Sequence, residues 1–196
     1  MYKLCKTERS AQRQRKIEAA LLTLMTQKDY TEISVTEICE AMEMPRKAFY
    51  RYFDSKEDAL QALIDHTLID FEKMSPALAG TGKRSLTREL EQFFIFWQEK
   101  RVLMDTLDRN GLIGRLLDTC VCYPVKDGAL LNKFFAKDEE WMRPHIIKFT
   151  ASGLFTLMLE WYREGFLRET KVMAALAGRM LREPLLGNLD TLGFSK

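Results

Sequence analysis

Residues 34–60, SVTEICEAMEMPRKAFYRYFDSKEDAL, decide the fold. Ser34-Val35-Thr36-Glu37 reads as a capping box, in which the Ser hydroxyl takes a backbone N–H three residues on and the Glu reaches back. Val35, Ile38, Cys39 and Met42 then share one face of a short amphipathic helix. Pro45 suits a first helical turn, where its missing N–H would have no intrahelical partner, and this predicts a second short helix from near Pro45 through Phe53. Asp54–Asp58 breaks the chain again and supplies Ser55 and Asp58 as a cap. Beyond it Leu60, Leu63, Ile64, Leu68 and Phe71 mark a longer helix. Neither short helix buries enough surface alone, so both must pack on long neighbours.

The second short helix presents Arg46, Lys47, Tyr50, Arg51 and Tyr52 around a side made of Ala48, Phe49 and Phe53. Aromatic density alone is what any helical corner needs to hold together. The Arg-Lys pair at the helix start adds a reason to expect DNA. A short helix of this kind fits a major groove about 12 Å wide with its N-terminal residues at base edges. Tyr hydroxyls, Lys ammoniums and helix N-termini are common phosphate contacts.

Outward from this stretch the chain reads as helix after helix. Ile17, Ala20, Leu21 and Leu24 form the preceding stripe, and Lys28–Ser34 is a loop. Residues 75–85 (SPALAGTGKRS) are the clear small-residue connector. After it come Leu86, Leu90, Phe93 and Trp97, then a turn or two at Val102–Asp108 stopped by Asn110-Gly111, then Ile113, Leu116, Leu117 and Cys120, closed by Pro124. A short helix is expected at Ala129–Phe135. Glu139–Glu164 reads as the main helix of the second half, with Pro144 near its start or kinking it and Gly165 ending it. Lys171–Arg182 is the last helix, stopped by Pro184. The expected class is all-α.

Charge sharpens the division. The 196 residues carry 30 Lys+Arg and 28 Asp+Glu, a net charge of +2 that rules out a wholesale basic coat. Residues 1–56 hold 11 basic and 8 acidic side chains, against 19 and 20 in residues 57–196. Lys3, Lys6, Arg9, Arg13, Arg15 and Lys16 face a single Glu8 at the start, so the chain opens basic and continues near neutral. Charges recurring through Lys3–Glu18 predict no secretory leader. The longest uncharged apolar run, Phe149–Leu159, is 11 residues, about half of what a membrane span needs. A cytoplasmic protein is expected, and its Cys5, Cys39, Cys120 and Cys122 should be free, mostly buried thiols.

In combination, Ser34, Ile38-Cys39, Tyr50-Arg51-Tyr52-Phe53 and Ser55-Lys56-Glu57 resemble the N-terminal pattern of the TetR family of transcriptional regulators, over about residues 9–65. The resemblance implies a three-helix, helix-turn-helix DNA-binding domain over residues 1–56, joined to a larger helical effector-sensing and dimerisation domain over residues 57–196. It implies phosphate contacts from Ser34, Thr36, Tyr50, Tyr52 and Lys56. Arg46 and Lys47 become base readers or partly phosphate clamps, and Phe49 a core residue that could touch a thymine methyl. The chain departs from the family in its turn, where Met42-Glu43-Met44 replaces the usual small residue and Gly. Glu43 must there take a left-handed backbone or a different turn.

Glu160–Phe166 resembles the family's pattern at the end of the penultimate helix. It implies a homodimer in which Glu139–Glu164 and Lys171–Arg182 pair with their copies as a four-helix bundle. Phe149–Leu159, apolar on nearly all sides, agrees, since an all-round apolar helix must be buried all round. An effector pocket is expected among Phe93, Trp97, Met104, Phe155 and Met158, with a small-molecule or protein effector unidentified. The implied partner is a pseudo-palindromic double-stranded operator, and the implied activity most often repression. A helical protein–protein adaptor that keeps the helix-turn-helix shape is the competing reading. An enzyme is not expected: His66 and His145 are isolated, and no carboxylate dyad, metal cluster or nucleophile–base pair is present. No metal or cofactor is implied.

Overall fold

The computed structural model describes residues 2, 5, 7–75, 86–126 and 139–182. Within them the architecture is helical: α1 (Glu8–Gln27), a 3-10 turn (Tyr30–Glu32), α2 (Val35–Ala41), α3 (Arg46–Phe49), α4 (Lys56–Met74), α5 (Leu86–Glu99), α6 (Arg101–Arg109), α7 (Ile113–Lys126), α8 (Arg143–Arg163) and α9 (Thr170–Arg182). No strand occurs among the described residues. None of the described helices is long and apolar enough to cross a membrane.

The caps explain most boundaries. Thr7 Oγ1 accepts from the Ser10 N–H at the start of α1, and Ser55 Oγ from the Asp58 N–H at the start of α4. Ser34 and Glu37 complete a reciprocal capping box on α2. Pro45 is the N-cap of α3, one position earlier than expected. Regular α3 ends at Phe49, but the Arg51, Tyr52 and Phe53 N–H groups bond back to Ala48 and Phe49, so the winding continues to Phe53 in a tighter form. Pro124 does not close α7, which continues to Lys126. Its missing N–H removes one bond in the last turn, too late to stop a helix already formed. Pro144 sits in the first turn of α8, so it starts that helix and does not kink it. The helix expected at Ala129–Phe135 and the Pro184 stop lie outside the described residues.

Three helices end in the same motif. At the ends of α2, α6 and α8 the two residues past the cap bond back to the last turn: Glu43 N to Glu40 O and Met44 N to Cys39 O, with equivalent pairs at Gly111-Leu112 and Gly165-Phe166. The left-handed position is Gly at two of them (φ 68° and 73°) and Glu43 (φ 47°) at the third. The turn of the helix-turn-helix therefore keeps the ordinary geometry with a side chain that disfavours it. A left-handed non-Gly residue costs about 1–2 kcal/mol, against about 0.5–1 kcal/mol of extra chain entropy for Gly. Glu43→Gly should raise the melting temperature by about 1–4 °C, while Glu43→Ala should not. Calorimetric scans of the three proteins decide it, and a fall on Glu43→Gly would refute the strain.

One apolar core runs through the molecule. In the head, Ile17, Leu21, Ile38, Phe49, Phe53 and Leu60 are all fully buried. In the body, α8 packs on α7, α9 on α5, and α4 bridges α1 to α5 and α7. Phe71, Phe93, Phe155 and Trp97 stack edge to face at centroid separations of 5.2–6.5 Å, which fixes α5 against α4 and α8.

Candidate functional site

The outer surface of α3 and the winding after it carries Arg46, Lys47, Tyr50 and Arg51, all exposed, with Tyr52 half-buried beside them. Behind this face Phe49 and Phe53 meet at 5.5 Å and are wholly inaccessible. Phe49 is thus the foundation of the face, and no thymine methyl can reach it. The Arg46 guanidinium lies 3.5 Å from the Tyr50 hydroxyl, and the Tyr50 ring stands edge-on to Phe49 at 5.6 Å. Lys47, and the hydroxyls of Thr36 and Tyr52, have no hydrogen-bond partner among the described residues, so their donors are available to a ligand.

Two other expected contacts are already committed. Ser34 Oγ accepts from the Glu37 N–H and donates to Glu37 Oε2, which also takes the Ser34 N–H at 2.8 Å. The Lys28 ammonium pairs with the other carboxylate oxygen. Lys28 first and Ser34 second pull the Glu37 carboxyl down to about 2. Lys56 Nζ donates to the Tyr30, Thr31 and Ile33 carbonyls at 2.8, 3.2 and 2.8 Å and lies 4.5 Å from the Tyr30 ring centroid. An ammonium has three donors. Lys56 therefore pins the 3-10 turn to the start of α4 and, in this geometry, has none left for a phosphate.

The head is joined to the body by groups that pattern reading missed. The Arg109 guanidinium donates to Met25 O at 2.6 Å, capping the C-terminus of α1. Asn110 Oδ1 accepts from the Tyr30 N–H at 2.6 Å while its Nδ2 donates to Thr106 O. From α7, Arg115 donates to Gln61 Oε1 and Glu57 O on α4. Between α1 and α4, Arg15 forks onto Asp70, and Glu18, 1% exposed, meets His66 Nδ1 at 2.9 Å. Burial pushes the Glu18 carboxyl up, with His66 opposing it. None of these partners shares a periodic stripe, which is why spacing alone does not reveal them.

A cavity of about 390 Å³ opens between α4, α5, α7, α8 and α9, a size within the usual range for small-molecule sites. Of the five residues named for a pocket, Phe93 and Phe155 line this cavity. Trp97, Met104 and Met158 do not: they are 0–1% exposed core residues, Trp97 lying behind the wall against Phe93 and Phe155. The wall also includes Phe71, Leu90 and Leu154, with Glu72, Glu89, Tyr123 and Thr150 as polar members. Glu89 was legible in principle, since a carboxylate among Leu86, Leu90 and Phe93 breaks an otherwise apolar stripe. Cys39 and Cys120 are buried thiols and Cys5 and Cys122 half-buried ones, all four free.

Residues 17–63 match the family model described as "Bacterial regulatory proteins, tetR family". This stretch is that of the TetR-family DNA-binding segment. The matched segment holds most of α1, α2, α3 and the first turns of α4, the elements that frame the Arg46–Arg51 face. The chain is also 33% identical over 85 residues to the HTH-type transcriptional regulator EthR of Mycolicibacterium smegmatis, a match that covers 39% of each chain. It thus spans about two fifths of that relative. Among solved structures, the fatty acid degradation regulator FadR from Bacillus halodurans superposes with a TM-score of 0.60 at 15% identity, over 93% of this chain and 98% of that one. The dihydroxyacetone kinase operon activator DhaS superposes at 0.57 and 17% identity, over 86% and 93%. At these identities the two structures speak for a shared all-helical fold.

Proposed function

We propose that the protein is a homodimeric, sequence-specific DNA-binding transcriptional regulator of the cytoplasm, most simply a repressor, whose affinity for its operator is set by an effector in the body. The observation that carries this reading is the exposed Arg46-Lys47-Tyr50-Arg51 face held rigidly on a buried Phe49–Phe53 pair. Residues 1–56 serve as the reading head and residues 57–196 as the sensing and dimerising body. Arg46 and Lys47 meet base edges, while Thr36, Tyr50 and Tyr52 meet phosphates. Ser34 and Lys56 hold the elements that present them.

Dimerisation through α8 and α9 is supported by what they leave exposed. Phe149 is 74% and Val172 52% accessible. Gly153, on the same side of α8 as Phe149, has nothing within 4 Å of where a Cβ would stand. A helix-interior Gly costs about 0.5–1 kcal/mol and gains nothing within this protomer, whereas a second copy could use the close approach. Two heads so paired would enter successive major grooves about 34–36 Å apart on a pseudo-palindrome.

Regulation follows by linkage. α4 and α7 wall the cavity, α4 holds α1 of the head through Asp70 and His66, and α7 is tied to the start of α4 through Arg115. A ligand that binds better when these helices take another arrangement lowers DNA affinity by the same factor. Mobility-shift titration against the DNA upstream of its own reading frame should give a retarded complex that survives excess unrelated DNA, with two chains per site. Competition by unrelated DNA at equal strength, or a monomer in sedimentation at micromolar concentration, would overturn the reading.

A further inference from the structure

We infer that Tyr2 is a positioning residue for DNA binding: it locks the joint between α1, α4 and α7 and so fixes where the two reading heads of a dimer sit. This rests on the twofold DNA-binding reading above. The Tyr2 side chain is half-buried and packs against the core. Its ring stands edge-on to His66 of α4 at a centroid separation of 5.6 Å, and its hydroxyl hydrogen-bonds Asp65 of the same helix. Burial first and the Asp65 carboxylate second push the phenol well above its ordinary value, so it stays a donor across the physiological range. Three residues on, the Cys5 thiol donates to Gln14 Oε1 of α1 at 3.0 Å and ties the same stretch of chain to the neighbouring helix.

Two chains of contacts leave Tyr2. One reaches α1 through His66, whose Nδ1 meets the Glu18 oxygens at 2.9 and 3.0 Å. The other runs through Asp65 to Gln61, whose amide donates to Asp65 at 2.8 Å and to Thr119 Oγ1 at 3.2 Å. Arg115 Nε donates to Gln61 Oε1 at 2.9 Å. Thr119 and Arg115 belong to α7 of the body, and Glu18 to α1 of the head. Tyr2 is thus the side chain that grips α4 at adjacent residues, one linked to the head and the other to the body.

Stiffness at this joint matters because one base pair added between half-sites moves a head by about 3.4 Å and turns it about a tenth of the way round the duplex. A locked joint rejects that displacement. A loose one follows it, and must be ordered again at every binding event.

The test is a spacing series with the full-length protein: the operator recovered from the DNA upstream of its reading frame, and the same operator with one base pair added or removed between half-sites. The wild type should lose at least roughly tenfold in affinity on either altered operator. Tyr2→Ala should bind the unaltered operator roughly 3–10-fold more weakly and lose most of that spacing penalty, with its base preference unchanged. Tyr2→Phe, which keeps the ring on His66 and loses the bond to Asp65, should fall between the two. Phe94→Leu, a truncation of the body core against Trp161, controls for a general loss of stability and should keep the wild-type penalty.

A full spacing penalty in Tyr2→Ala, an equal relaxation in Phe94→Leu, or an altered base preference in Tyr2→Ala would each overturn the inference and leave the proposed function standing. A wild type indifferent to spacing would overturn the inference together with the twofold reading.

Discussion

Phe49→Ala should cost about 3–5 kcal/mol of stability, the range for truncating a fully buried aromatic, and should abolish DNA binding. Phe49 has no accessible surface and touches the rings of both Tyr50 and Phe53, so its removal takes the support from under the whole reading face. Against a total stability of about 5–15 kcal/mol this is a large fraction, equivalent to a fall of roughly 6–20 °C in melting temperature. The three tryptophans, Trp97, Trp141 and Trp161, all lie in the body. Trp fluorescence therefore reports the body, while circular dichroism reports all helices. Because head and body share one continuous core, the two signals should fall together. A shift below about 2 °C would refute the role of Phe49. Two separated transitions would show that the head melts on its own.

Lys47→Ala is the second large effect, and it falls on recognition and leaves stability untouched. Lys47 is exposed in the first turn of α3 and has no partner among the described residues to lose. A base-reading side chain is worth about 1–3 kcal/mol of discrimination, and a twofold complex uses it twice. The preference for the operator over unrelated DNA should therefore narrow by roughly 10²–10⁴-fold, with an unchanged melting temperature. Binding curves at several salt concentrations provide the check. Equal weakening on every sequence, with a salt slope smaller by about one per head, would make Lys47 a phosphate clamp.

The order of helices is legible in the sequence because each buries one stripe at helical spacing and because its caps are local. The Ser34–Glu37 box and the Ser55–Asp58 cap need only neighbours three residues away. What was not legible depends on partners far along the chain. Lys56 looks like a surface cation in a Ser-Lys-Glu run; only folding brings the Tyr30, Thr31 and Ile33 carbonyls to it. Trp97 and Phe155 have the same aromatic character in sequence, yet only Phe155 reaches the cavity wall. The wall is assembled from five helices, and no single stripe reports which of its residues faces a gap. Pro124 reads as a stop because the rule for proline is local, while α7 is held by its packing on α8. Glu43 is the converse case. Spacing locates the turn, but only the backbone, at φ 47°, shows that a carboxylate residue takes the glycine position.

The grip of Arg109 and Asn110 on Met25 and Tyr30 bears on how this protein could be rebuilt. A reading head spliced onto a foreign body would carry an α1 terminus whose carbonyl, and a turn whose N–H, have lost the side chains that now satisfy them. It would also lose most of α4, on which α1 packs. The specificity proposed for this molecule is therefore easier to transplant as the few exposed side chains of α3 than as a detachable module, and a graft of the head would need Asn110 and its helix to travel with it.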